Sequence, residues 1–236
     1  MPGASRRALF AAIPLALAAT PAFAYYTSAP DVVLYTTVET LAAGLALGRA
    51  FTARHDVPVH VFGGTARGQL ALIARVARCD LVLGPARLLD ATTRRGAWTN
   101  PIVIAGRGSD ASRTLSAAGL RAALHGEALA VPDPTELAAF DARAALGEAM
   151  PARVIGAATG ADAAFLVTTG KARLGVMTRA DAIAARLATV FTTPAAPLVY
   201  AMAPSSDAAS RFWPAFRDFA VGTDAAPIMR RAGLAA

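Results

Sequence analysis

The stretch Val32-Val33-Leu34-Tyr35-Thr36-Thr37-Val38-Glu39-Thr40 runs straight into LAAGLALGRAF (41–51). Four apolar, β-favouring residues are followed by a turn rich in hydroxyls and then by a run with apolar residues at helical spacing, as at Leu41 and Leu45. The pattern recurs once, where VPVHVF (57–62) is followed by Gly63-Gly64-Thr65 and by ARGQLALIARVA (66–77). Each turn places hydroxyls and small residues where a helix begins. Free backbone N–H groups and the positive end of the helix dipole favour an anion there. One such turn is ordinary capping. Two turns from neighbouring strand–helix units can converge on one ligand.

Outward from these turns the same alternation continues. Strands are predicted at Val32–Tyr35, Val57–Phe62, Asp80–Gly84, Pro101–Gly106, Ala128–Pro132, Val154–Ala158, Arg173–Thr178, Thr189–Thr192 and Leu198–Ala203. Helices are predicted at Leu41–Arg54, Ala66–Arg78, Arg87–Arg95, Leu115–Leu124, Glu136–Ala149, Asp162–Thr169, Arg179–Leu187, Ala208–Ala220 and Ala225–Gly233. This order predicts an α/β fold with mainly parallel sheets covered by helices on both faces. Runs such as DLVLG (80–84) and PIVIAG (101–106) have the continuous apolar character of doubly covered strands. Asp133-Pro134-Thr135 reads as a turn that caps a helix near Glu136, and Gly233 stands where a last helix would stop.

The first 24 residues read as a leader outside the fold. Arg6 and Arg7 form a basic start, Leu9 to Ala19 an apolar run, and Ala22-Phe23-Ala24 a cleavage signal before Tyr25. Ser5-Arg6-Arg7 leaves export by the twin-arginine or the general secretory route open. Cys79 is the single cysteine, which excludes an intrachain disulfide and reads as a buried structural thiol. The formal charge of +7 falls by two when Arg6 and Arg7 leave with the leader. The remaining arginines are scattered rather than gathered on one face with aromatics, so nucleic-acid binding is not predicted.

Catalytic and metal motifs are thin. His125-Gly126-Glu127 has half of a zinc-deaminase signature and lacks the cysteine half. Gly63 to Gly68 lacks the Lys-Ser/Thr of a nucleotide-binding loop, and no nucleophile elbow occurs. Asp133 and Asp162 read as helix caps and Asp80 as a turn or structural carboxylate. Neither a metal site nor an active site is predicted, since no convergent acid, base and nucleophile set is visible.

From the paired turns onward, the chain after the leader resembles the periplasmic molybdate-binding proteins of ABC transporters, within the two-lobed type II solute-binding fold. Phe62-Gly63-Gly64-Thr65 stands where that family has a Phe and a Ser/Gly-rich turn, and Asp80-Leu81-Val82-Leu83-Gly84 is similar to its Asp-hydrophobic strand. Ala130-Val131-Pro132-Asp133-Pro134 resembles its Ala-Val-Gly-Asp-Pro segment. Gly175-Val176-Met177-Thr178-Arg179-Ala180-Asp181-Ala182 is similar to its Gly-Ile-Val-Tyr-x-x-Asp-Ala segment. The tail from Tyr200-Ala201-Met202-Ala203 to Met229-Arg230-Arg231-Ala232-Gly233-Leu234 resembles its last strand and terminal helices.

The resemblance implies a non-enzymatic, monomeric periplasmic protein that holds molybdate or tungstate for a membrane permease and needs no further cofactor. It implies one lobe from residues 25–104 with 201–236, a second from 105–200, and closure about crossovers near Gly106 and Val199. The ligand would be held by the Thr37 or Thr40 hydroxyl, by Gly64 and Thr65, by backbone donors near Ala139 and Gly160, and at Thr178, in place of the family's tyrosine. One alignment sets Glu39 on the family's first serine, and a shift by one residue sets Thr40-Leu41 there instead. Two expectations follow from a buried carboxylate beside a dianion. Either Glu39 points outward and a threonine serves, or the ligand is not a simple dianion.

Overall fold

The computed structural model describes residues 30–65, 78–108, 114–134, 141–206 and 208–235. The expected leader lies outside them, as does all but the last residue of the helix expected at Ala66–Arg78. Five strands, β1 (Val32–Thr37), β2 (Val59–Gly64), β3 (Leu81–Pro85), β4 (Arg95–Asn100) and β10 (Leu198–Pro204), form one sheet in the order β2-β1-β3-β10-β4. Five more, β5 (Ile102–Gly106), β6 (Ala128–Pro132), β7 (Arg153–Ala157), β8 (Leu174–Thr178) and β9 (Ala188–Thr192), form a second in the order β7-β6-β8-β5-β9. The described α-helices are α1 (Leu41–His55), α2 (Ala117–Leu124), α3 (Ala142–Leu146), α4 (Gly160–Thr168), α5 (Arg179–Ala184), α6 (Trp213–Val221) and α7 (Ala226–Arg231).

The two-sheet α/β architecture is the one predicted, but both sheets are mixed rather than mainly parallel. β1 runs parallel to β2 and β3, and β6 runs parallel to β7 and β8. β10 is antiparallel to β3 and β4, and β5 is antiparallel to β8 and β9. The antiparallel strands are the first ones after each passage between sheets. Only Pro101 separates β4 from β5, and residues 193–197 separate β9 from β10. Neither strand arrives through a helical crossover, which is what makes neighbours parallel.

Burial follows the period-two rule of strands. Ile102 and Ile104 of β5 pack with Leu120, Leu129, Leu174 and Val190 on one face, while Val103 and Ala105 pack with Ala130, Ala163, Val167 and Met177 on the other. In the first sheet Leu34, Leu81, Leu83, Trp98 and Tyr200 meet Leu47 and Phe51 of α1, Phe216 of α6 and Met229 of α7. Phe51 and Phe216 contact edge to face, with ring centroids 5.1 Å apart. Gly44 lets α1 lie against β1, since a Cβ there would come within 2.6 Å of Thr36 Cγ2.

Asp80 is structural, as expected. Fully buried, it accepts hydrogen bonds from the backbone N–H groups of Val33, Ala209 and Ser210, each at 2.8 Å, and from Arg78 at 3.1 Å. It thus pins the segment after β10 to the start of β1. Cys79 is buried beside it, and burial with the neighbouring Asp80 charge pushes its thiol up to about 12, so it is inert.

Three predicted elements change. The helix expected at Arg87–Arg95 is a single 3-10 turn (Ala86–Leu88), because Asp90 accepts the N–H and hydroxyl of Thr92 at 2.9 Å and turns the chain. The edge strand β4 then follows with Trp98 buried. Of the helix expected at Glu136–Ala149, residues 136–140 lie outside the described residues. The remainder starts afresh where Asp141 Oδ1 accepts the Ala144 N–H, and ends in a 3-10 turn at Gly147–Ala149. The helix expected from Ala208 begins at Trp213, with Pro214 in its first turn. Asp80→Ala would leave three backbone donors and the buried side of Arg78 without an acceptor. It is expected to cost about 3–5 kcal/mol, read as a lower midpoint in urea unfolding.

Candidate functional site

The parallel register of β1 and β2 pairs Thr36 with Gly63 and Thr37 with Gly64. Both turns therefore leave the same end of adjacent strands. Gly63 packs on the first residue of α1, where an added Cβ would lie 3.0 Å from Leu41 Cδ2. Gly64 and Thr65 follow, partly buried. The first turn is a 3-10 turn (Val38–Thr40) that passes into α1 without a side-chain cap. Thr37 and Thr40 are buried, with hydroxyl oxygens 3.1 Å apart, and Thr40 also donates to the Thr37 carbonyl at 3.2 Å.

Across from this turn stand the first residues of α4 and α5, from the second sheet. Gly160 opens α4 and is buried. The helix start is closed by a capping box, in which Thr159 Oγ1 accepts the Asp162 N–H and Asp162 accepts the Thr159 N–H, both at 3.1 Å. The N-cap is thus Thr159, and Asp162, which its sequence position suggests as the cap, is the reciprocal third residue of the box. Thr178 closes α5 in the same way. Its hydroxyl donates to Asp181 Oδ2 at 2.7 Å and accepts the Asp181 N–H at 3.2 Å. Thr178 is fully buried, and its hydroxyl is committed within its own capping box. Ala139 lies outside the described residues.

Glu39 points inward rather than outward. Its carboxylate is partly buried and accepts the Tyr200 hydroxyl at 2.8 Å, with further bonds from the Thr37 hydroxyl and its own backbone N–H. Burial and the facing Asp181 carboxylate push the group up to about 7, and those hydrogen bonds only partly oppose the rise. Burial likewise pushes Asp181 up to about 6 against its bonds from Thr178. Tyr200, buried between β3 and β4, has its phenol raised well above the ordinary value by burial and by Glu39.

The structure therefore sets Thr37, Glu39 and Thr40 beside the β2 end at Gly64 and Thr65, and the same 38–40 turn contacts α4, which Gly160 opens, and α5, which Thr178 caps. It adds Asp181 and Tyr200, which the sequence reading did not place there. An added Cβ at Gly160 would lie 2.3 Å from Asp181 Oδ2, so α4 and α5 meet at this carboxylate. Gly233, with a positive φ, turns the chain after α7 against α5, where an added Cβ would lie 2.9 Å from Ala180 Cα. Thr178-x-x-Asp181 has capping-box spacing, a signal the sequence carries but one that the reading of Thr178 as a ligand position passed over. Nothing in the sequence links Tyr200 to a glutamate 161 positions away. Among the described residues no group of three or more His, Cys, Asp or Glu is placed to hold a metal, and no helix is long and apolar enough to cross a membrane.

Residues 32–235 match the bacterial extracellular solute-binding protein family. The chain belongs to that family, and its two sheets form the two-lobed periplasmic-binding-protein fold. Solved structures agree on the fold at low identity. A periplasmic molybdate-binding protein of Azotobacter vinelandii aligns with a TM-score of 0.68 and 17% identity, covering 87% of this chain and 99% of the other. The sulfate-binding protein SubI of Mycobacterium tuberculosis gives 0.66 and 16% over 87% and 86%. A tungstate ABC transporter structure from Geobacter sulfurreducens gives 0.61 and 17% over 86% and 99%. No curated protein sequence gives a significant match.

The raised carboxylates make a pH prediction with a definite sign. Glu39 moves from 4.5 to about 7 and Asp181 from 3.8 to about 6 on folding, so the native state holds these protons more tightly than the unfolded chain. Their contribution to stability is complete below about pH 4 and is lost as the pH rises through 6 to 7. Urea midpoints are expected to be lower at pH 8 than at pH 5.5, and Glu39→Gln is expected to narrow that difference.

Proposed function

We propose that this protein captures a small tetrahedral oxyanion between its two sheets in the periplasm and presents it to an ABC importer. Molybdate and tungstate are the leading candidates. The observation that carries this reading is that the 38–40 turn, beside the end of β2, contacts both α4 and α5 of the second sheet. Helix starts and hydroxyls offer hydrogen-bond donors without a buried counter-ion, which suits an oxyanion losing its hydration. Each sheet with its helices forms a lobe, with the passages at Pro101 and residues 193–197 as the hinge. Closure buries the ligand, and the closed shape is what a permease reads. The site offers no nucleophile beside a base, so binding is favoured over catalysis.

Glu39 favours a second reading within the same class, a changed ligand such as another oxyanion or a small organic anion. Its carboxylate lies among the donors rather than outside them.

Thermal unfolding with molybdate, tungstate, sulfate, phosphate and a small organic phosphate separates these readings. A ligand present at 100 times its Kd adds about 2.7 kcal/mol of stability, which raises the melting temperature by several degrees. A shift with molybdate or tungstate alone supports the first reading, and a shift confined to the other anions supports the second. No shift with any of the five overturns the oxyanion assignment.

A further inference from the structure

We infer that the site takes up one proton at Glu39 with each fully ionised oxyanion it binds. This inference rests on the oxyanion reading above and adds how that site handles charge. Glu39 is the middle residue of the turn through which the first sheet would offer its donors. Its carboxylate already uses three of them: its own N–H, the Thr37 hydroxyl and the Tyr200 hydroxyl. An arriving dianion therefore meets an internal anion at hydrogen-bonding range. At an effective dielectric of roughly 20, two unit charges about 4 Å apart repel by an amount equal to about a thousandfold in affinity.

The surroundings do not cancel that charge. From α5 the facing group is Asp181, another carboxylate, and α4 contributes Asp162, already held in its capping box with Thr159. β10 contributes Tyr200. The titratable residue of β2, His60, pairs with Asp31 instead. Before Arg49, α1 carries only apolar residues and glycines. Arg87, in the 3-10 turn beside β10, is exposed and acts on Tyr200. Among the described residues, no Arg, Lys or His forms an ion pair with Glu39 or Asp181.

A proton on Glu39 removes the repulsion and converts an acceptor into a donor. The carboxyl O–H then points a hydrogen bond at a ligand oxygen, and the proton comes from solvent. Asp181 is the less suitable carrier, because its Oδ2 accepts both the N–H and the hydroxyl of Thr178 in closing α5. Glu39 is also poised for the change, since it titrates near neutrality at about 7 even without a ligand.

The test is calorimetric titration of the leaderless protein with sulfate and with molybdate from pH 6 to 8.5, in two buffers of different ionisation enthalpy. The expected result at pH 8 is uptake of about one proton per dianion, with affinity falling about tenfold per pH unit above neutrality. Glu39→Gln is expected to bind without uptake and with flat affinity across the range. Tyr200→Phe, which removes one donor to the carboxylate, is expected to move the break to higher pH while keeping the one-proton stoichiometry. Circular dichroism and urea unfolding confirm that each variant is folded. Dianion binding by the wild type without proton uptake, and with the same pH profile as Glu39→Gln, overturns the inference and leaves the oxyanion reading standing. Absence of binding by the wild type and by Glu39→Gln at every pH, together with no thermal shift with any of the five anions, overturns the oxyanion reading, and the inference with it.

Discussion

The first sheet cannot be completed until the chain has built the second and returned. β10 enters between β3 and β4 and is antiparallel to both, so the middle of the sheet depends on residues 198–204. Without it, β3 would expose an edge and β4 would keep only the bridge between Thr99 and Ala235. Asp80 secures the return from the other side of β3, by accepting the backbone N–H groups of Ala209 and Ser210 just beyond β10. This discontinuous assembly gives the fold two passages between its sheets, at Pro101 and at residues 193–197. A pair of covalent crossings is what permits two bodies to move without separating.

The same strand joins the core to the site. Tyr200 is among the largest fully buried side chains and packs in the cluster with Leu83, Trp98 and Phe216. A buried phenol needs a hydrogen-bond partner, because its hydroxyl loses water on folding. Glu39 supplies that partner from the turn after β1. The ring thus belongs to the core while its hydroxyl belongs to the cleft, and the energetics of the two are coupled. A change that shifts β10 would alter the environment of Glu39 without touching it.

Periodicity made the alternation of strands and helices readable, and the predicted strands match the observed ones to within a residue at each end except Val32–Tyr35, which runs on to Thr37, and Val57–Phe62, which is observed at Val59–Gly64. It could not reveal β4, because Arg95-Gly96-Ala97-Trp98-Thr99-Asn100 is an edge strand with one large buried apolar residue and no alternating run. Nor could it reveal which pairs are antiparallel, since direction depends on which sheet a strand has just left. At the site, the two turns were legible from their hydroxyls and small residues, whereas Gly160 was reached only through the family resemblance. The direction of Glu39 was not legible, because it is set by Tyr200, far away in sequence. Thr178 was legible as a position, but its role as the N-cap of α5 is fixed by Asp181 three residues on.

Three segments that meet between the sheets each carry a carboxylate of their own. Asp162 serves α4, Asp181 serves α5, and Glu39 folds back on the N–H of its own turn. Helix starts attract anions through unsatisfied N–H groups, and each internal carboxylate satisfies some of them in advance. The positive net charge of the chain does not offset this locally. Arg107, Arg153, Lys171 and Arg173 instead line a pocket at the opposite end of the second sheet, where β6, β7 and β8 begin. Charge in the cleft is therefore set by protons more than by arginines. An anion that fits by shape must still enter a region whose own acids are close to neutral only when they are protonated. On the proposed reading, the two-lobed fold fixes where a ligand is held, and Glu39 governs the charge it can carry there.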